Sequence, residues 1–304
     1  MSDLKCNLGR ARELALRLHK NFTTPGIGIF GRTEMPEDKP PHGVFRGSLE
    51  HLLFITLTVT IDYQRDAPQL WELSRKVYEN PGTRYLYQPA LLFEKGLTQS
   101  RNDMNLTGLS RKTQKDPYLW YTVALTFLKK YGGDPRNFLE NCHYHAPTIL
   151  DRLKNDTHEE RGSQVPDFPY LRGPKIGCLW VRMLRDNVGI EMTGLEEVPI
   201  PVDVHVLRAT VCSGVISGRY TGSIGPVFEE VRTVWKEAVK PLKRQDGQPM
   251  ISLDMDEPLW HLSKYGCSNH RGSENSACLE ECPVINGCPK VEIRITGSNC
   301  SFGA

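Results

Sequence analysis

Apolar residues in this chain recur every three or four positions, and the stripes they form are bounded by residues that start or stop helices. The clearest run opens at Asp116 as its cap, with Pro117 in the first turn. It carries Leu119, Val123, Leu125 and Leu128 and stops at Gly132-Gly133. Upstream, Leu8, Ala11, Leu14, Ala15 and Leu18 share one face of a helix predicted over 8–20. Pro25-Gly26 closes it, and a connector with Pro36, Pro40 and Pro41 runs on to Gly47. Ser48 caps a second, strongly apolar helix ending near Ile61. Asp66 caps a third, with Leu70, Leu73 and Val77 on one side and Asn80-Pro81-Gly82 as its closing turn. Shorter helices are expected at 135–142 and 147–154, a helix-turn-helix pattern at 165–185, and further helices near 205–216, 225–240 and 257–265. Residues 96–115 are polar and basic and read as a surface loop. Alternating strand patterns are lacking except at Val291–Ile295, so the expected class is all-α.

Charge and hydropathy then exclude whole classes of function. Lys plus Arg number 38 against 36 Asp plus Glu, a net charge of +2, so no global positive field exists and any hold on nucleic acid must be local. The least interrupted apolar stretch, Leu52–Ile61, contains Thr56, Thr58 and Thr60 and falls short of the ~20 residues a membrane span needs. Asp3, Lys5, Arg10, Arg12 and Glu13 interrupt the N-terminus, which therefore does not read as a secretory signal; a cytoplasmic protein with reduced thiols and no membrane partner is expected. No glycine-rich dinucleotide fingerprint is present, which argues against a nicotinamide or flavin enzyme.

Three constellations carry chemistry. Of nine cysteines, Cys6, Cys142, Cys178, Cys212 and Cys300 are scattered, whereas Cys267, Cys278, Cys282 and Cys288 crowd into YGCSNHRGSENSACLEECPVINGCP. Four thiolates in one irregular segment can wrap a tetrahedral zinc or a 4Fe-4S cubane. The second is FPYLRGPKIGCLW, Phe168–Trp180, where a turn at Gly173-Pro174 exposes backbone N–H groups at a helix start. It reads either as a phosphate-holding hairpin or as an ordinary turn between helices. The third is IPVDVHVLR, Ile200–Arg208, in which Asp203 is either a plain N-cap or a carboxylate that stabilises a developing cation.

Taken in order, hairpin, PVDVHVLR, and LWHLSKYGC with the four cysteines, the chain resembles the helix-hairpin-helix DNA glycosylase superfamily, and the cysteines make it most similar to the endonuclease III-like branch. That family's V-D-x-H-x-x-R segment is matched at Val202, Asp203, His205 and Arg208. The family hairpin L-P-G-V-G-x-K is matched only by Gly173 and Lys175 in one register, and a rival register puts Gly177 at the lysine. Family cysteine spacing is C-x6-C-x2-C-x5-C, of which only the last interval is kept, and DNVGIEMTGLEEVPI lengthens the link before Asp203. The resemblance covers roughly 47–290. It implies two helical domains with a cleft between them, one over 47–185 and one over 1–46 plus 198–304.

It also implies a monomer that acts on double-stranded DNA, flips a damaged or modified base from the stack and excises it. Asp203 would stabilise charge at the sugar, and Lys175 would be the nucleophile of an abasic-site lyase step. A 4Fe-4S cluster on Cys267, Cys278, Cys282 and Cys288 is implied, with zinc as the alternative occupant. Tyr63 and Gln64 are candidates for the wedge that fills the vacated stack, with Arg65 for phosphate, or else form a solvated turn between helices. Lys236, Lys240, Lys243 and Arg244, with Lys264 and Arg271, would grip the DNA backbone, or form a solvated helix face. Two rival readings stand beside this one. The first is a noncatalytic helix-hairpin-helix DNA-binding protein with a structural metal site. The second is a metalloprotein unrelated to DNA, with Cys142-His143-Tyr144-His145 as further ligands, a motif that otherwise reads as a helix end.

Overall fold

The computed structural model describes residues 4–24, 28–30, 34–160, 162–269 and 281–303. In chain order its principal elements are β1 (Lys5–Cys6), α1 (Leu8–Thr23), α2 (Leu49–Thr60), α3 (Ala67–Glu79), α4 (Pro89–Leu106), α5 (Lys115–Tyr131), α6 (Pro135–Asn141) and α7 (Ala146–Asn155). There follow β2 (Thr157–Glu160), β3 (Ser163–Pro166), α8 (Ile176–Met183), α9 (Val204–Cys212), β4 (Ile216–Ser217) and β5 (Tyr220–Ser223). Helices α10 (Ile224–Val239) and α11 (Asp256–His261) and strands β6 (Ile293–Thr296) and β7 (Asn299–Phe302) complete the set. The protein is predominantly helical, as its periodicity requires. Among the described residues no helix is long and apolar enough to cross a membrane.

Contacts divide the chain into two units, Met35–Glu197 and the pair Met1–Glu34 with Val198–Ala304. In the first, α2 is buried along its length because Leu52–Thr60 carries almost no charge, and its three threonines turn inward. The Thr56 hydroxyl accepts from the Trp180 indole at 3.0 Å, and the Thr58 hydroxyl lies 2.6 Å from that of Ser74. Phe54, Trp71, Trp120, Phe127 and Trp180 fill the core around it. Ser48 and Asp66 cap α2 and α3 as their chemistry dictates, accepting from His51 N at 3.1 Å and Gln69 N at 3.1 Å. In the second unit, α1 packs Leu14, Ala15 and Leu18 into a core with Val231, Trp235 and Leu259. Its three-stranded antiparallel sheet runs in the order β5-β7-β6, with Tyr220 opposite Phe302 and Ile293 opposite Phe302.

The structure corrects the sequence expectation at several points. Residues 96–106, read as loop, belong to α4; they follow a break at Gly96 (φ 75°, ψ 167°), and Ser100 and Met104 are buried. A stripe this sparse is masked by the surrounding polar residues. Helix α5 starts one residue before Asp116, with Gln114 at the cap. The Asp116 carboxylate instead takes the backbone N–H groups of Arg111 and Lys112, both at 2.8 Å, and the Tyr63 hydroxyl. No helix occupies 165–172: Val165 and Pro166 end β3, which pairs with β2, and turns follow. Strands β2, β3, β5 and β7 qualify the all-α reading, and the strand expected at Val291–Ile295 falls at Ile293–Thr296.

Candidate active site

Asp203 sits at the cap of α9 in an extended conformation (φ −124°, ψ −170°), with Oδ1 accepting from His205 N at 2.8 Å and Val206 N at 2.9 Å. The plain-cap chemistry is therefore present. Ile200 and Val202, fully buried, anchor the segment that leads into the cap. His205, Arg208 and Cys212 recur at helical spacing and so share one face of α9. The His205 Nδ1 lies 3.1 Å from Ser263 Oγ, and its ring packs 5.5 Å from that of Trp260. Arg208 donates to Ser268 Oγ at 3.0 Å and Ser263 Oγ at 3.3 Å. Ser263 is presented by a π-helical turn, Leu262–Gly266, that continues α11, so V-D-V-H-V-L-R docks on W-H-L-S-K-Y-G.

The hairpin segment is built differently. Asp167, fully buried, accepts from Lys130 at 2.5 Å and lies 2.8 Å from His158 Nδ1, which roots the chain before Phe168. Tyr170 then takes a left-handed φ of 69°, and Gly173 N donates to Tyr170 O at 3.0 Å. Lys175, half-buried, occupies the cap position of α8 with no side-chain cap bond. Gly177 is demanded by proximity: a Cβ there would sit 2.7 Å from Leu171 O. It is the second residue of α8, so this close approach packs the start of the helix against the turn before it.

Tyr63, Gln64 and Arg65 follow α2 together. The Tyr63 ring stacks on Tyr170 at 4.1 Å and 30°, which brings the expected wedge onto the hairpin. Burial and the Asp116 bond push the Tyr63 hydroxyl well above the usual phenol range. Gln64 is exposed at φ 52°, and Arg65 donates to Leu109 O at 2.9 Å, so its guanidinium ties down the 107–111 loop. Sequence reasoning missed Tyr170 and the lysines at 112 and 115. The run Arg111-Lys112-Thr113-Gln114-Lys115 was the available signal.

Cysteine placement adds a residue. The Cys267 thiol donates to Cys212, which lowers the Cys212 thiol below its usual value and raises that of Cys267, with burial, Cys282 and Cys288 adding to the latter. Cys288 Sγ donates to Cys212 O at 3.3 Å, and Cys282 is buried. A cavity of about 450 Å³ opens beside Arg208, Cys212, Cys267, Ser268 and residues 291–296. Cys278 and Arg271 lie outside the described residues, and among the described residues no three metal-ligating side chains are placed to hold a metal ion. The helical spacing of Arg208 and Cys212 was the signal for this fifth thiol.

The expected basic grip is largely paired. Lys240 bonds Glu237 at 2.8 Å, and Arg244 bonds Asp246 at 2.9 Å with Asp254 at 3.8 Å. Lys264 rests 5.9 Å from the Trp260 ring. In Cys142–His145 the sulfur is buried, His143 and Tyr144 turn through positive φ, and His145 Nδ1 lies 2.9 Å from Thr148 Oγ1, which is a connection between helices.

No curated protein matches the chain. Residues 180–289 match the family AGOG, N-glycosylase/DNA lyase, a span that holds the Asp203 cap, its docking partners and the four crowded cysteines but stops short of Lys175, and the match supports kinship with the helix-hairpin-helix DNA glycosylases.

Proposed function

We propose that this protein is a DNA glycosylase of base excision repair, acting on double-stranded DNA as a monomer and excising a damaged or modified base. The observation that carries this reading is the glycosylase/lyase match over 180–289. Within that span the one cap carboxylate preceding H-V-L-R is fixed by two amide bonds and docked through His205 and Arg208.

Extruding a nucleotide costs a few kcal/mol of stacking and pairing, which the wedge residues Tyr63 and Gln64 offset by filling the gap. As the glycosidic bond lengthens, the sugar gains positive charge, and the Asp203 carboxylate stabilises it. In the bifunctional form, the Lys175 amine adds to the anomeric carbon as the C–N bond to the base breaks, and the base leaves with its bonding pair. The amine then loses a proton and the sugar ring opens to a Schiff base, from which elimination cleaves the strand.

Cys267, Cys278, Cys282 and Cys288 are proposed to hold a 4Fe-4S cluster. The donor set supports this, four thiols crowded into one irregular segment. Such a cluster supplies a cross-link between chain segments and takes no part in base release. Protein isolated without oxygen is expected to be brown, with about four irons per chain. Stoichiometric zinc would replace the cluster assignment and leave the glycosylase reading standing.

The reading itself is tested with a panel of duplexes, each carrying one oxidised, mismatched or otherwise modified base, incubated with protein and then treated with alkali. Strand breaks at one lesion class are expected. Duplex binding with no base loss at long incubation would favour a noncatalytic DNA-binding protein.

A further inference from the structure

The unit Met35–Glu197 carries a cation group of a different kind from Lys240, Lys243 and Arg244. Arg111, Lys112 and Lys115 lie on the loop and first turn that lead into α5. Lys112 Nζ stands 4.6 Å from the centre of the Tyr63 ring and donates to Gln64 Oε1 at 3.1 Å. Lys115 Nζ stands 4.7 Å from the centre of Tyr170 and 5.9 Å from that of Tyr63. The two rings are themselves stacked. The carboxylate that follows Lys115, Asp116, is 1% exposed and engaged by the Tyr63 hydroxyl and the backbone N–H groups of Arg111 and Lys112. Asp116 thus shapes the turn and holds the ring. None of the three cations forms a salt bridge among the described residues, and Arg111 and Lys115 are exposed.

An ammonium over an aromatic face is held by the ring quadrupole, and unlike an ion pair it carries no fixed anion that a phosphate must displace. Lys240 and Arg244 must first release Glu237 and Asp246. With a net charge of only +2, local cations without anionic partners dominate attraction to a polyanion. The stack also places these cations beside Gln64, whose left-handed backbone is the strained geometry that accumulates at functional positions.

We propose that Lys112 and Lys115, seated on the Tyr63–Tyr170 stack, together with Arg111 on the same loop, are the principal binding site for the phosphodiester backbone of double-stranded DNA. This rests on the glycosylase reading and names the surface through which it engages its substrate. Lys112 links the phosphate contact to the wedge loop through Gln64.

The test measures affinity for a duplex containing a non-cleavable abasic analogue across a salt series. Three proteins are compared: the parent, a Arg111→Gln/Lys112→Gln/Lys115→Gln variant, and a Lys240→Gln/Lys243→Gln/Arg244→Gln variant. The first variant should flatten the slope of log Kd against log salt by about two to three and weaken binding roughly tenfold or more; the second should flatten it by about one or less. A parent slope preserved in the first variant, or a larger loss in the second, overturns the proposal while leaving the glycosylase reading intact. A parent without salt-dependent duplex affinity overturns both. Should the triple variant lose its cooperative melt, Lys115→Gln alone is expected to flatten the slope by about one, and no change there overturns the proposal equally.

Discussion

Helices α8 and α9 begin in opposite ways. At α9 a carboxylate accepts two amide hydrogens at the positive end of the helix, the arrangement that both stabilises the helix and fixes the side chain. At α8 a lysine stands in the cap position without a side-chain cap, and the turn before it is held by backbone bonds and by the close approach of Gly177 to Leu171. A cation at the positive end of a helix gains nothing from the dipole. The contrast teaches that Asp203 is positioned by its own helix through cap bonds, whereas Lys175 is positioned by the turn that precedes its helix.

Four outcomes sharpen or break that contrast. Asp203→Asn should lower base release by about a hundred- to thousandfold or more, because an amide cannot offset charge at the sugar, while the melt stays near the parent's because Asn caps as well as Asp. Asp203→Ala should lose activity equally and about 1 kcal/mol of stability besides. Full base release by the Asn variant would reduce Asp203 to a cap. For Lys175→Gln, borohydride should trap no protein–DNA adduct although the parent is trapped, with stability unchanged. A parent that releases base but is never trapped would make the enzyme monofunctional and Lys175 a phosphate contact.

Gly177→Ala should destabilise by roughly 1–3 kcal/mol, read in urea unfolding, since the new methyl must displace a backbone oxygen. Gly173→Ala should cost less, its Cβ meeting Tyr170 O at 3.2 Å. Each unit also holds one buried histidine, His51 and His261, whose pKa values burial pushes down to about 4. The unfolded chain binds these protons near pH 6.5 and the folded chain only near 4, so stability falls as pH drops through that window, by on the order of 1–3 kcal/mol for each histidine. Unfolding at about pH 7 and about pH 5 should show the loss, and His261→Phe should narrow the gap. An unchanged gap would locate the acid sensitivity elsewhere.

What could be read from the chain alone was whatever closes within a few residues. Ser48, Asp66 and Asp203 each accept from an amide two or three positions on, and Gly132 ends α5 through its own left-handed backbone (φ 63°), so residue identity and position suffice. The V-D-V-H-V-L-R motif was legible for the same reason: its pattern follows one helix. Tertiary structure alone decided which distant side chains meet. Tyr63 reaches Tyr170 across 107 positions and Cys212 reaches Cys267 across 55, contacts that leave no periodic trace in either segment. It likewise decided that α4 is a helix, because its few inward residues gain their stability by packing on α5 and not from their own propensity.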